Sequence, residues 1–446
     1  MEFEALKQAL IDAAAQAGIA QYEIYYMETA ESSATTFQHE LKGVSSARSG
    51  GICFRCIVGG KMGYASTELL EADEMVELVS RAATAATMIE NDDKVFIWGG
   101  SPTYRSPEAA KPMAEMPTLT KSALALAEAA YAADARVTDG TEATAVTEEV
   151  TIHLVNSTGL ELSNHVAVNA AVLEAIVGED EEKQVAFDIA ASLDAENLNA
   201  LAAKTVGNAC AMLGAGGIET GKYNIVFSAK QARSILSSFS SVFSSKNAQQ
   251  GLSLLAGKEG EVIAAPCVTI VDDPAHPAAN AHTHFDAEGV ATARKNVIEA
   301  GVLKTLLYNL QTAAKAGVET TGNASKGSYA SPVGISPYCF CLEAGEHNLD
   351  DLLAQAGDGI YVTEMKGFHA GADAVTGDFS IECAGFRIEG GKLGGPLKSF
   401  TVAGNFFGLL KEIAAVADNV EVGFSGGFTC FGAPAILVPG MSVAGK

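Results

Sequence analysis

The sequence predicts an α+β protein in which two helix-plus-strand-meander units precede a larger, strand-rich C-terminal domain. Helical and strand-like apolar patterns follow one another twice in the first half of the chain, and hairpin patterns with glycine dominate the second half. A proline-rich stretch at residues 101–117 separates the two repeats and is predicted to be a linker. The 446 residues are enough for two or three domains, each with its own core.

The first unit is predicted at residues 1–100. Its opening helix has Phe3, Leu6 and Leu10 on one face and ends before Gly18, and a second helix is predicted at residues 73–89. Between the helices, four segments have the composition of strands: YEIYYMETA, SATTFQHEL, GGICFRCIV and KMGYAS.

The second unit is predicted at residues 118–215 and repeats this order. Helices are predicted at residues 119–134 and 195–213, with alternating strand patterns between them. The turn-forming residues 156–159 predict a hairpin between two of these strands.

The C-terminal domain is predicted at residues 222–446. The segments VIEAGVL and RIEGGKL place Gly301 and Gly391 where tight hairpins need a positive φ. Asn405 is predicted to cap a helix. The apolar face of that helix is predicted to contain Phe406, Leu409, Leu410, Ile413 and Val416.

The charge balance excludes some classes of partner. Lys and Arg total 29 against 54 Asp and Glu, and a formal net charge of −25 repels phosphate backbones, so we expect no nucleic-acid partner. The N-terminal segment lacks the basic region and apolar core of a signal peptide. No apolar run approaches the roughly 20 residues of a membrane span. We therefore expect a soluble, cytoplasmic protein with no membrane partner.

The eight cysteines lack the regular spacing of a disulfide framework. Cys53 and Cys56 form a CxxC motif on a predicted strand, where positions three apart face opposite sides. Cys339 and Cys341 share a strand face, but the sequence around them offers no third or fourth metal ligand. We expect buried strand cysteines, with a zinc or redox role as the alternative.

One segment, AHTHFDAE, could form a metal site. His282, His284 and Asp286 would share a face if this segment is extended, and Asp272, Asp273 and His276 are near in sequence. The alternative is a polar loop or hairpin that faces solvent.

Two other motifs fail as catalytic sites. His39 and Glu40 could begin an HExxxH motif, but the second histidine is missing and Gly43 would break a helix there. The serine-rich run at residues 234–245 has no GxSxG elbow or paired histidine, so a polar helix face is expected. We predict no catalytic residue in this chain.

Residues 271–327 and 358–393 resemble the TldD/PmbA family, historically called modulator of DNA gyrase. The shared motifs are FDAEGV, TTGNAS, TGDFS and an AGN that precedes a helix, in this order. In the TldD-like branch, an HExxxH motif supplies two zinc-binding imidazoles and a glutamate base for peptide hydrolysis. A late cysteine adds to that site.

In this chain the matching segment, residues 222–251, contains no histidine and no glutamate, and LSSFSSV occupies residues 236–242. Cys430 lies in the region of the late cysteine, but without the histidine pair it has no site to complete. The resemblance therefore implies the PmbA/TldE-like branch, the non-metal subunit of a metalloprotease that acts on unfolded or extended peptides, as in peptide maturation or antitoxin turnover. It implies no cofactor in this chain, zinc only in a TldD-like partner, and no catalysis by the chain alone.

Two other functions stay open. One is a homodimeric, non-catalytic binding or scaffold protein, and the other is an independent metal-dependent hydrolase that uses His282, His284 and Asp286. For the protease subunit, the turns TTGNAS and TGDFS are predicted to form the rim of a peptide cleft, because loops often hold functional groups. The candidate cleft residues are Gly322, Asn323, Gly377 and Asp378, and the alternative is that these residues only stabilise hairpins.

Overall fold

The N-terminal half forms one antiparallel sheet covered by four helices. The computed structural model describes residues 2–107, 111–179 and 182–445. The helices are α1 (Phe3–Gln16), α2 (Ala72–Thr87), α3 (Met116–Ala133) and α4 (Ala195–Ala211). The strands are β1 (Tyr22–Phe37), β2 (Glu40–Val58), β3 (Lys61–Thr67), β4 (Glu142–Asn156), β5 (Glu161–Val177) and β6 (Gln184–Ala190).

The two predicted units share this sheet, whose strand order is β3-β2-β1-β4-β5-β6. The long strands β1 and β4 pair from Glu23 opposite Asn156 to Phe37 opposite Glu142, so the sheet is continuous from one unit to the next. The α+β class and the order of helices and strands predicted from the sequence are confirmed. The sharing of one sheet was not predicted.

The first two strand patterns form a single strand. YEIYYMETA and SATTFQHEL were predicted as separate strands, but β1 runs through both and turns only at Gln38 and His39, which have φ of 51° and 67°. His39 therefore lies in a hairpin turn. The predicted linker contains neither helix nor strand in its described residues 101–107 and 111–115, and residues 108–110 lie outside the described residues.

Each face of the sheet has its own core. On one face, α1 and α2 bury Leu6 and Leu10 against Ile24 and Phe54. In the second unit, α3 and α4 form another core with β5. The opposite face, through residues such as Tyr25, packs against the C-terminal domain.

The C-terminal half contains two six-stranded sheets and a small two-stranded one. The first has the order β10-β9-β8-β13-β19-β18 and the second β16-β15-β14-β7-β20-β17. The strands are β7 (Gly221–Phe227), β8 (Ile270–Asp272), β9 (Lys295–Glu299), β10 (Val302–Leu303), β11 (Ala324–Ser325), β12 (Gly334–Ile335), β13 (Cys339–Leu342), β14 (Gly359–Lys366), β15 (Asp378–Glu389), β16 (Lys392–Asn405), β17 (Ala415–Val416), β18 (Glu421–Val422), β19 (Cys430–Ala433) and β20 (Ile436–Ala444).

Helices link these two sheets. They are α5 (Ala229–Phe239), α6 (Ser245–Gln249), α7 (Leu310–Ala316), α8 (Leu349–Ala356), α9 (Phe368–Gly371) and α10 (Phe406–Glu412), with a 3₁₀ helix at Ser240–Phe243. The Phe239 ring of α5 stacks on Phe406 of α10 with centroids 4.7 Å apart, and Phe243 lies 5.2 Å from Phe340 of β13. Both helices thus belong to one core that includes residues of both sheets. In the described ranges, no helix has the length and apolarity needed to cross a bilayer.

The local turn predictions for this half are confirmed. Gly301 and Gly391 have φ of 82° and 78° in tight hairpins. The Asn405 side chain accepts hydrogen bonds from the first turn of α10. The predicted length of that helix was wrong, because the chain leaves the helical conformation at Ile413 and Val416 joins β17.

Candidate functional site

A groove of about 650 Å³ lies along α5, between the N-terminal sheet and the C-terminal domain. Strand β6 and helix α4 form one wall, and the β18–β19 hairpin forms another. Both β6 and β18 are the last strands of their sheets, so each presents one backbone edge that no described strand covers. The groove is therefore bounded by two open strand edges.

The sequence of α5 directs a polar face into this groove. Ser228 caps the helix by accepting a hydrogen bond from the Gln231 amide. Its apolar side chains, including Ile235 and Phe239, are buried in the core. The residues that line the groove follow helical spacing: Lys230, Arg233, Ser234, Ser237 and Ser238. The prediction of a polar helix face is confirmed for Ser234, Ser237 and Ser238. It was wrong for the rest of the run, because a 3₁₀ helix follows at Ser240–Phe243 and the side chains of Ser244 and Ser245 are buried.

The serine hydroxyls of this face bond to their own helix. Ser234 donates to the Lys230 carbonyl and Ser238 donates to the Ser234 carbonyl, both at 2.8 Å. Among the described residues, no histidine or carboxylate accepts a hydrogen bond from them. A serine nucleophile needs such a base, so these hydroxyls do not form a catalytic pair.

Arg233 differs from the other cations of the groove. Lys230 donates to the Phe187 carbonyl at 2.7 Å, and Lys204 pairs with Asp188 at 3.0 Å. The Arg233 guanidinium has no ion pair or hydrogen bond with any described residue. A Cβ placed on Gly423 would lie 2.9 Å from its Cζ, so the guanidinium rests directly on the β18–β19 hairpin. Arg233 is thus free to bind an anion in the groove.

Three buried thiols lie behind α5. Cys339 of β13 pairs in register with Cys430 of β19, and the Cys339 and Cys341 sulfurs are 3.4 Å apart. The expectation that Cys339 and Cys341 have no third partner was wrong, because the parallel pairing of β13 and β19 brings Cys430 beside them. A hydrogen bond from Cys339 lowers the pKa of the Cys430 thiol.

Three models of one protein family match the chain in sequence order. The PmbA/TldA metallopeptidase domain 1 matches residues 22–86, the central domain matches residues 111–213 and the C-terminal domain matches residues 220–445. The chain belongs to the PmbA/TldA metallopeptidase family. The resemblance to the TldD/PmbA family seen in the sequence is confirmed.

Individual family members resemble this chain in sequence or in structure over almost its whole length. A metalloprotease PmbA homologue of Haemophilus influenzae is 26% identical over 435 residues, which cover 93% of this chain and 92% of the relative. A proposed modulator of a DNA gyrase from Thermotoga maritima has a crystal structure that superposes with a TM-score of 0.88 at 28% identity, over 99% of this chain and 100% of that one. TldE from Thermococcus kodakarensis gives a TM-score of 0.87 over the same shares, and its 21% identity shows the fold alone.

The PmbA/TldA name implies a metal, but the residues at the α5 groove do not fit one. The helix offers hydroxyls instead of imidazole or carboxylate donors, and neutral hydroxyls are weak ligands. Within the ranges that the structure describes, no three His, Cys, Asp or Glu side chains are placed to hold a metal ion.

The AHTHFDAE segment is buried, so its expected exposure to solvent was wrong. The N-terminal sheet packs over it, and His284 and Asp286 are 7% and 2% exposed. Its three candidate ligands do not converge. His282 contacts the His276 carbonyl, whereas Asp286 accepts hydrogen bonds from three backbone amides, those of Glu288, Val290 and Ala324. The two histidines and the aspartate therefore do not form a metal site.

The CxxC cysteines face opposite sides of β2, as predicted. Cys53 belongs to the cluster that packs against the C-terminal domain, and Cys56 belongs to the core beneath α1 and α2. Both thiols are fully buried, and burial raises the pKa of each. Neither is placed to form a disulfide or a shared metal site with the other.

The TTGNAS turn lies beneath the surface. Asn323 is fully buried and donates to Asp272 at 2.8 Å and to the Ser336 carbonyl at 3.0 Å. Gly322 has φ of 65°, and a Cβ there would lie 2.8 Å from the Ala291 carbonyl oxygen. In this arrangement Asn323 presents no surface to a peptide, and the sequence motif specifies a buried polar network.

The TGDFS turn is exposed and joins another family motif. Asp378 accepts a hydrogen bond from Asn405, the cap of α10, at 2.8 Å. Gly377 has φ of 82°, and a Cβ there would lie 2.6 Å from the Phe407 ring. Neither residue is among the described residues that line the α5 groove. Arg233 was not among the predicted site residues, because no local sequence pattern indicates that its guanidinium is unpaired in the fold.

Proposed function

We propose that this chain is the non-metal, TldE/PmbA-like subunit of a TldD/PmbA-type metalloprotease that acts on unfolded or extended peptides. The α5 groove is the observation that supports this proposal most directly. It lies at the segment where TldD-like relatives would place their HExxxH motif, and it offers an unpaired arginine and serines in place of zinc ligands. Hydrolysis would then be the task of zinc in a TldD-like partner.

The groove suits an extended peptide because two strand edges border it. A peptide in β conformation gains main-chain hydrogen bonds from such an edge with little dependence on its sequence. Val185 and Phe187 on β6 are each 47% exposed, so the edge also offers apolar contacts. Folded proteins rarely leave an apolar edge uncovered, which supports a role in binding another chain.

Arg233 gives this groove a preference for negative charge. A guanidinium binds a carboxylate through two parallel hydrogen bonds, and Arg233 has none of its donors engaged by described residues. The chain's residues would thus hold and orient the peptide, through backbone hydrogen bonds at β6 and an ion pair at Arg233. No proton transfer or nucleophilic attack is assigned to this chain.

Co-expression with an HExxxH homologue from the same organism tests the proposal. We expect a stable heterodimer by sizing, zinc only in the complex, and cleavage of unstructured peptides only by the complex. The isolated chain should bind no stoichiometric zinc. Chelator-sensitive cleavage by the isolated chain, with about one zinc bound, would reject the proposal.

The homodimeric scaffold function is the second candidate. The open edge of β6 could equally pair with a second copy, since a strand edge is self-complementary in antiparallel pairing. A homodimer that ignores the HExxxH homologue and leaves its activity unchanged would favour this function.

A further inference from the structure

A second cavity, of about 290 Å³, lies at the seam between the N-terminal sheet and the C-terminal domain. Its walls are the β2–β3 hairpin, the segment after α2, the start of α7 and the loop that follows β11. Its charge is opposite to that of the whole molecule. Five cations line it, namely Arg55, Lys61, Lys94, Lys246 and Lys326, against the two carboxylates Asp93 and Glu288.

Arg55 is the buried centre of this cavity. Its side chain is 8% exposed, and Nε donates to Glu23 at 2.7 Å while Nη1 reaches Glu288 only at 3.4 Å. Nη2 is buried and has no hydrogen-bond partner among the described residues, and Oε2 of Glu23 likewise has none. Glu288 cannot turn toward Nη2 without losing a hydrogen bond, because its other oxygen accepts one from the Leu310 amide at 2.9 Å. A buried guanidinium donor without an acceptor is costly, so an acceptor that enters from the cavity would stabilise Arg55.

Some of the lysines at the cavity are paired with other groups and some are not. Lys61 pairs with Asp92 at 2.8 Å, and Lys326 donates to the Ser331 carbonyl at 2.5 Å. Lys94 and Lys246 are exposed and form no ion pair with any described residue. Two positive charges at the mouth are thus available to an incoming anion.

The remaining wall of the cavity is apolar. Met62, Ile89, Phe96 and Val333 line it beside the cations. A volume near 300 Å³ is at the lower end for ligand pockets, which restricts the occupant to a small molecule. A bare inorganic anion would leave these apolar side chains without contacts.

We propose that this cavity binds a small molecule that carries a phosphate or carboxylate group next to an apolar portion. The anionic group accepts a hydrogen bond from Nη2 of Arg55, and Lys94 and Lys246 offset its charge at the mouth. The apolar portion packs against Met62 and Phe96. This site is separate from the α5 groove and does not depend on the proposed protease role.

Calorimetry on the full chain with phenyl phosphate, benzoate and benzyl alcohol tests this proposal. We expect saturable, salt-sensitive binding of at least one anion at one site per chain, and none for the neutral alcohol. The tighter of phenyl phosphate and benzoate identifies the anionic group. Arg55 itself is left intact, because its removal would strand two buried glutamates and could unfold the chain.

Two double variants distinguish anion binding in this cavity from a general effect of the protein's net charge. Lys94→Gln with Lys246→Gln should weaken anion binding about fivefold or more. The matched control, Lys392→Gln with Lys411→Gln, removes two exposed lysines that do not line the cavity and should leave binding within about twofold. No saturable binding of either anion, or equal weakening in both double variants, would overturn the proposal.

Discussion

Asp272, Asp286 and Asn323 show how single polar residues organise the C-terminal domain. Each is no more than 2% exposed, and each is satisfied by named partners: Asp272 by Asn323, Lys295 and the Tyr338 amide, and Asp286 by three backbone amides. Buried polar groups persist only when they are hydrogen-bonded. The motifs FDAEGV and TTGNAS therefore describe one structural network, which ties β8 to the loops around it.

Asn323→Ala should destabilise the protein, because it leaves the Asp272 carboxylate and the Ser336 carbonyl each short of a donor. We expect a loss of about 1–3 kcal/mol in the free energy of unfolding, measured by denaturant titration. The exposed Asp378→Ala should cost no more than about 0.5 kcal/mol. Unchanged stability of Asn323→Ala together with reduced cleavage by the assembled protease would instead make Asn323 a peptide contact.

Gly423→Ala should weaken peptide binding without lowering stability. Its new methyl group would meet the tip of the Arg233 side chain, which is flexible and can move away at little cost. Arg233→Gln should have the same effect by removing the charge. We expect each to weaken the binding of an acidic, unstructured peptide about fivefold or more in fluorescence anisotropy.

The control for this pair is Arg81→Gln, which changes an exposed arginine of α2 that pairs with Glu74. It should leave peptide affinity unchanged. If all three variants lose affinity equally, the peptide responds to net charge and Arg233 has no special role.

Among the structural elements, those that a few neighbouring residues determine were predicted correctly from the sequence. Turns at Gly301 and Gly391 and the cap at Asn405 depend on a few adjacent residues, so composition revealed them. The pairing of β1 with β4 joins residues more than a hundred positions apart, and no local pattern specifies it. Burial of the AHTHFDAE segment and the position of Cys430 beside Cys339 depend on the same long-range packing.

Helix α1 gives a pH-dependent prediction. Phe3 of α1 stacks on His153 of β4 with centroids 4.3 Å apart, and burial lowers the pKa of His153. The unfolded chain therefore takes up a proton more readily than the folded one. This contribution to stability is complete above the ordinary histidine pKa of about 6.5 and is lost as pH falls through the lowered value in the folded state.

Denaturant titrations at pH 7.5 and 5.5 check this prediction. The wild type should lose more stability between these two pH values than His153→Gln does. The exposed His369→Gln serves as control and should keep the wild-type pH dependence. Parallel behaviour of wild type and His153→Gln would show that other groups cause the change.

For the whole molecule, the packing of the N-terminal sheet against the C-terminal domain determines where the candidate sites lie. Tyr25 and Ile152 of the N-terminal sheet pack in one cluster with Phe285 and Ala324 of the C-terminal domain. Polar contacts cross the same seam. Examples are the ion pair of Arg55 with Glu288 and the hydrogen bonds from Tyr104 to the Gly289 carbonyl and from Arg105 to the Thr283 carbonyl. The α5 groove and the cationic cavity both lie where the halves meet, so both depend on this docking.

We expect the two halves to unfold in one cooperative transition. Separating them would expose an apolar sheet face and would leave buried charged groups without their partners. Trp98 is the only tryptophan and lies on the N-terminal side of the seam, where its carbonyl accepts a hydrogen bond from Asn156. Its fluorescence reports the N-terminal half, whereas far-ultraviolet circular dichroism reports the whole chain. The two denaturation midpoints should coincide. A fluorescence transition at clearly lower denaturant would show that the N-terminal half detaches first and that both cavities can open without global unfolding.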